Sequence, residues 1–360
     1  MQFSVTLDTH IDKWPLARYA EELGFDRVAI PDSEMIWSDP YATLALVAAN
    51  TSRILIGTGI TSPGLRIAPV SACAIATINR LAPGRVFFGI STGHTSVRLI
   101  GRKPASLATL REYVRVVRGL LDGEEVNYPY KGEPRLIKFM HLDRHYINLA
   151  DRIPILIAAN GTKAIRLAGE LADGWTTSTK NPEVGRHHIE ELRAGARAAG
   201  RQLPDDFYFS FQTCACVLRP GENLSSERVV NQTGSYVTCI LHQTYEVWEA
   251  SGHKEEVVPP FFRDRWDDYL KRVAGFSLPP QARFRQIHDG HCTFLQPEER
   301  RFVTPEAIRG TCLAGEPDEI ISHIRAMEKV GFSGLNLLPP ADYQREVFRD
   351  FAAQIIPAFR

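Results

Sequence analysis

Residues Ile54 to Gly93 read ILIGTGITSPGLRIAPVSACAIATINRLAPGRVFFGISTG, and this stretch decides the fold. Ile54 to Ile56 is an apolar run ending in Gly57-Thr58-Gly59. Ala68 to Leu81 carries a helix pattern, stopped by Pro83-Gly84. Val86 to Ile90 is a second apolar run, ending in Ser91-Thr92-Gly93. The order is strand, loop, helix, turn, strand, and both strands finish in small, glycine-rich polar turns. In parallel α/β folds ligands bind at the carboxyl ends of strands. Two such ends in succession, open enough for backbone to approach a flat or anionic ligand, predict a cofactor site.

Working outward, the same alternation continues. Apolar strand patterns begin at residues 3, 27, 54, 86, 154, 174, 207 and 335, and most are followed by a helix pattern. Eight such units predict a closed (β/α)8 TIM barrel, with a doubly wound open sheet as the runner-up. The GITSPG turn does not match GxGxxG, and no acidic residue stands where a dinucleotide ribose contact would be expected. Two segments interrupt the pattern. Glu124 to Asp151 reads as a loop with hairpin character. Pro220 to Thr304 is much longer, rich in aromatics and paired prolines, with a helical middle. An insertion of that length, the largest and late in the chain, is expected to cover the active face or an oligomer surface. The whole of 1–360 is therefore expected to form one barrel domain carrying the 220–304 insertion.

The chain has 360 residues, 44% of them hydrophobic and 23% charged, the proportions of an ordinary globular protein. Forty-two Lys and Arg balance 42 Asp and Glu. A neutral balance argues against nucleic acid or an anionic membrane as the main partner. No run of 18 apolar residues is present, and the N-terminus lacks a basic and apolar leader, so a cytoplasmic location is expected. The six cysteines include no C-x-x-C pair and are expected to be packing residues.

Several motifs together are similar to the bacterial-luciferase-like superfamily of flavin- and deazaflavin-dependent oxidoreductases, most closely its methylenetetrahydromethanopterin-reductase-like members. They are Asp39 to Leu46 (DPYATLAL), Gly57 to Pro63 (GTGITSP), Ala74 to Asn79 (AIATIN), Gly84-Arg85-Val86, Gly89 to Gly93 (GISTG), Gly101 to Ala105 (GRKPA), Ile155 to Gly161 (ILIAANG) and Leu167 to Gly174 (LAGELADG). The likeness covers residues 1 to about 180 and about 304 to 340, and fails across 220 to 300. It implies a barrel with insertions that binds reduced FMN or the deazaflavin coenzyme at its carboxyl end. It also implies a non-proline cis peptide in the third-strand turn, here Gly59-Ile60, supporting the ring together with Thr61.

The candidate site follows strand by strand. Ala159-Asn160-Gly161-Thr162 ends a strand and opens a helix, where backbone N–H groups and the helix dipole make an anion site. The resemblance places the cofactor phosphate on Gly161 and Thr162; the alternative is that Asn160 merely caps the helix. Ser91, Gly93 and His94 follow the fourth strand, with His94 where methanopterin-type members usually carry an acid. An imidazole there can donate to a ring carbonyl or a phosphate. After the second strand stand Asp32, Ser33 and Glu34, where many deazaflavin-dependent relatives have Asp-His. Asp32 and Glu34 are candidate acid/base groups, since an apolar pocket raises a carboxyl pKa, and Ser33 is a candidate substrate contact. His10, after the first strand, is a further catalytic candidate. His288 and His291 are expected to line the substrate pocket. No metal is expected, because a His-x-x-His in a proline-rich segment lacks a defined shared face.

The function these features imply is a luciferase-like monooxygenase using reduced FMN and oxygen on a small organic substrate, with a flavin reductase supplying the cofactor and a homodimer as the assembly. The alternative is a deazaflavin-dependent reductase or dehydrogenase, which needs no oxygen. A zinc-dependent barrel hydrolase would need clustered ligands after the first strand, where Thr9-His10-Ile11-Asp12 offers one histidine. A flavin-binding paralogue without catalysis is the remaining class.

Overall fold

The computed structural model describes residues 1–130 and 132–360. Its strands are β1 (Gln2–Thr6), β2 (Arg27–Ile30), β3 (Leu55–Thr58), β4 (Val86–Ile90), β5 (Val126–Tyr130), β6 (Glu133–Ile137), β7 (Ile155–Ala158), β8 (Gly174–Thr177), β9 (Tyr208–Thr213), β10 (Ala215–Val217), β11 (Leu313–Gly315) and β12 (Gly334–Leu337). The eight strands anticipated from the sequence close into one barrel in the order β1-β2-β3-β4-β7-β8-β9-β12. Each pair with a defined register is parallel. The fold is thus the (β/α)8 barrel rather than the open sheet.

Helices α1 (Pro15–Glu22), α2 (Pro40–Asn50), α3 (Ala68–Leu81), α4 (Thr95–Leu99), α5 (Leu107–Leu121), α6 (Thr162–Leu171) and α7 (Pro182–Ala198) connect these strands. Their starts are written locally. Asp39 accepts from the N–H groups of Tyr41 and Ala42, with Pro40 at the first helical position, and Asn181-Pro182 repeats the device for α7. Glu21, buried at the end of α1, accepts from the backbone N–H groups of Ser52, Arg53 and Ile54, fixing the entry to β3. Those three bonds hold its carboxyl below the usual value although burial pushes the other way.

Strand side chains alternate. Phe3, Val5, Val28, Ile56, Phe88, Ile155, Ile157, Trp175, Phe211, Leu335 and Leu337 are buried, while Ser4, Ala29, Thr58, Gly89, Leu156, Thr176, Ser210 and Asn336 line a cavity of about 40 Å³ inside the barrel. The amino-terminal floor of this lumen is closed by Arg27, whose guanidinium lies 4.0 Å from the Tyr208 ring centroid and 5.7 Å from that of Phe87. At Gly89 a Cβ would meet the Thr58 carbonyl oxygen at 2.2 Å, so only glycine lets β3 and β4 approach this closely.

Residue contacts divide the chain into two units, 1–212 with 327–336, and 213–326 with 337–360. The second unit contains the 220–304 segment and is larger than it. The single alternating strand expected from Phe207 to Leu218 is broken at Cys214: β9 completes the barrel, while β10 pairs in parallel with β11. At this break the Cys214 and Cys216 thiols both donate to Gln232, to its carbonyl and its side chain respectively. Helices α8 (Glu227–Ala250), α9 (Pro260–Ala274), α10 (Arg283–Ile287), α11 (Pro305–Thr311), α12 (Pro317–Lys329) and α13 (Gln344–Gln354) follow. Val237, Phe262, Trp266, Tyr269 and Phe302 make the second unit's core. In the first unit, the hairpin read in Glu124 to Asp151 is β5 with β6; Lys131, within that segment, lies outside the described residues. No helix among the described residues is long and apolar enough to cross a membrane.

Candidate active site

The carboxyl ends of β1 to β4 are laced together by backbone bonds. Gly59 N–H donates to Ile30 of β2 at 2.7 Å, Thr61 N–H donates to Gly89 of β4 at 3.0 Å, and Ser91 N–H donates back to Thr61 at 3.0 Å. The Gly59-Ile60 peptide held between them is cis, as the family resemblance implies. A Cβ on Gly59 would lie 2.3 Å from that of Ala29. Gly93, at φ +84°, packs its α-carbon where a side chain would strike Val97 and Ser62. Gly59, Ile60, Thr61, Ser91 and Gly93 therefore stand together on one wall.

Asp32 stands beside it. Its side chain is fully buried, and its Oδ2 accepts a 2.6 Å bond from the Thr61 hydroxyl. Its other oxygen lies 3.6 Å from Arg66 Nη2, too far for a hydrogen bond. Burial raises the carboxyl to about 7, with the Thr61 bond and Arg66 opposing and Glu34 adding to the rise. Arg66 is shared: it also reaches Glu34 at 3.4 Å and Asp39 at 2.7 Å. One cation among three carboxylates cannot neutralise them all, and Asp32, the most deeply buried, holds the proton most readily. Arg66 escaped the sequence reading. Its signal was its place at the end of the GITSPGLR turn, but nothing local marks it as the partner of residues 27 to 34 positions earlier.

The other candidates separate. Ser33 is buried and its carbonyl accepts from Ile36 and Trp37, making it a turn residue. His10 is exposed, and its Nδ1 accepts from Asp12 N–H at 3.3 Å, capping its own turn. His94 precedes α4, with Nδ1 3.2 Å from the Thr95 hydroxyl. Asn160 does not cap α6. Its side-chain oxygen instead accepts from Thr177, from Ser178 N–H and from the Ser178 hydroxyl, binding the end of β7 to that of β8. Gly161 takes the cap position and no side chain satisfies the first turn of α6, where Thr162 and Lys163 are exposed. His288 and His291 belong to the second unit, where His288 bonds Glu246 at 2.9 Å.

Two features fit a flavin-type cofactor. Buried oxygens of Asp8, Asp32, Glu34 and Ser62, all after β1 to β3, lack a hydrogen-bond partner, so this end of the barrel has polar groups to offer a ligand. The uncapped α6 presents donors and the positive end of a helix dipole, as a phosphate requires.

A parallel barrel with a buried carboxyl and an open helix terminus at its carboxyl end has the layout of a ligand-binding (β/α)8 barrel. Residues 14–334 match the model of the luciferase-like monooxygenase family, and the chain belongs to that bacterial-luciferase-like family of oxidoreductases. It is 36% identical over 374 aligned positions to an "F420-dependent glucose-6-phosphate dehydrogenase" of Nakamurella multipartita, covering 96% of this chain and 91% of that protein. It is 33% identical over 189 residues to a "5,10-methylenetetrahydromethanopterin reductase" of Methanolobus tindarius, spanning 51% of this chain and only 55% of that one. Among solved structures, the coenzyme F420-dependent tetrahydromethanopterin reductase of Methanopyrus kandleri superimposes with a TM-score of 0.70 at 20% identity, covering 100% of this chain and 99% of that one. The oxygenating constituent of 3,6-diketocamphane monooxygenase from Pseudomonas putida gives 0.63 at 16%, covering 96% and 91%. These last two likenesses are of fold.

Proposed function

We propose that the protein is a deazaflavin-dependent oxidoreductase transferring hydride between the coenzyme and a small alcohol or carbonyl substrate. This reverses the order of the two readings made from the sequence, where the FMN monooxygenase came first. The observation that carries it is Asp32. An alcohol losing hydride from carbon must also lose its hydroxyl proton, and the reverse reaction needs that proton returned. A buried carboxyl poised near neutrality serves both directions. The names of the relatives, most of them deazaflavin-dependent, support the same choice.

When bound, the deazaflavin supplies the hydride acceptor or donor. The chain's own residues do the rest. Thr61 fixes the Asp32 carboxyl by its 2.6 Å bond, and Arg66 limits how far the pKa climbs. The N–H groups at Gly161 and Thr162, with Lys163, would hold the phosphate. The FMN monooxygenase remains the second reading because Ser33 stands where many deazaflavin relatives have histidine. Anaerobic titration with each reduced cofactor, followed by an alcohol panel with oxidised deazaflavin, tests the choice. Tight deazaflavin binding and substrate-dependent bleaching are expected; tight FMN binding with no deazaflavin affinity would reject the proposal.

A further inference from the structure

We propose that His242, His288 and His291 of the second unit bind one divalent transition-metal ion, with zinc the occupant their chemistry favours. One ring nitrogen of each lies within 4.8 Å of the others. Helix α8 supplies His242, and the loop after α10 supplies His288 and His291. That loop is shaped to bring the two together: His291 N–H donates to His288 at 3.1 Å, Gly290 sits at φ +77° and Cys292 at φ +51°. Spacing alone could not reveal the third ligand, which lies 46 positions before His288 in the sequence. His288 and His291, read from the sequence as lacking a shared face, stand beside His242 in the fold.

The surroundings are those of a metal site. Metal-bound histidines generally give their second ring nitrogen to a carboxylate. His242 Nε2 lies 3.0 Å from Glu299, which is itself within 3.4 Å of Arg272, and His288 Nε2 lies 2.9 Å from Glu246. The His242 side chain is 1% exposed, and its Nδ1, like that of His291, is buried with no hydrogen-bond partner. A buried imidazole anchored on one side and unsatisfied on the other has a lone pair to give. Tetrahedral zinc with bonds of about 2.0–2.1 Å sets ligand nitrogens about 3.3 Å apart, so modest side-chain rotation closes the set.

A competing set, Cys239, His291 and Cys292, shares one ligand. There His291 Nε2 lies 3.9 Å from the Cys239 sulfur, whereas the three-histidine set has a carboxylate bonded behind two of its ligands.

The test is titration of chelator-treated full-length protein with zinc against a chromophoric competitor, alongside cobalt(II) spectra. One ion per chain is expected, with tetrahedral cobalt bands and no sulfur-to-metal charge transfer. His242→Gln and His288→Gln should each weaken binding at least 100-fold, and Glu299→Gln, which removes no ligand, by about 10–100-fold. Circular dichroism checks that each variant folds, and if the histidine variants do not, Glu299→Gln and zinc-edge anomalous scattering from crystals of the unaltered protein decide. No stoichiometric binding, unchanged affinity in the histidine and Glu299 variants, or a charge-transfer band lost in Cys239→Ser would each overturn the assignment.

Discussion

Replacing Asp32 by Asn tests the site through stability, without any ligand. A carboxyl moved from its ordinary value of 3.8 to about 7 in the folded chain makes folding depend on pH. The folded state holds the proton longer, so the contribution is most favourable below the unfolded value and is lost as pH rises from about 4 to about 7. At about 1.4 kcal/mol per unit, keeping Asp32 in its folded surroundings costs the fold about 2 kcal/mol at pH 5 and about 4 kcal/mol at pH 8. Asparagine keeps the shape and never ionises. Its stability relative to the unaltered protein should therefore rise by about 2–3 kcal/mol between pH 5 and pH 8. Urea unfolding of both proteins at unit steps of pH measures this difference directly, and shared background titrations cancel. If the difference stays flat from pH 5 to pH 8, Asp32 is ionised throughout. The acid/base assignment would then fall, together with the argument that one Arg66 cannot satisfy three carboxylates.

Further outcomes follow from other residues. Thr61→Val removes the bond that lowers Asp32, so the ionisation of Asp32 read in the pH–rate profile should move upward, with kcat falling and KM little changed. Glu21→Gln should cost about 1–3 kcal/mol at neutral pH, because an amide cannot accept all three N–H bonds equally. It should also flatten acid unfolding, since the depressed Glu21 carboxyl stabilises above the usual carboxylate value and loses this as pH falls through its folded value. Gly89→Ala should yield insoluble or strongly destabilised protein on expression, as its Cβ has only backbone to push against.

The barrel was legible because each strand carries its own apolar run and each connecting helix its own cap or stop. Ala68 to Leu81, stopped by Pro83-Gly84, is such a case, and its bounds match the observed helix. The strand ends were legible as a site for the same reason, since Gly57 to Thr61 and Ser91 to Gly93 are local motifs. What stayed hidden is non-local. Arg66 acquires meaning only when β2 and β3 lie side by side, and Asn160 was open to a capping role until β8 brought Thr177 and Ser178 to it. Phe207, Phe209 and Phe211 alternate with polar neighbours while Cys214 to Leu218 are all apolar, a change that does not by itself say that two sheets share the segment. The 220–304 segment mixes a 24-residue helix with short turns whose order depends on packing among aromatics.

Arg27 on its aromatic floor has a consequence for how this chain could change. The cation lies at the start of β2 and Asp32 beyond its end, and Arg27 lines the barrel cavity together with Phe87 and Tyr208. Whatever holds the barrel shut from below is thus chemically independent of what meets ligand above. Loops at the carboxyl ends can be exchanged, lengthened or retuned for another substrate while the floor carries the same load. A library confined to the turns after β2, β4 and β8 should retain a far larger folded fraction than one confined to residues 27, 87 and 208, and a screen for soluble expression alone would display the contrast.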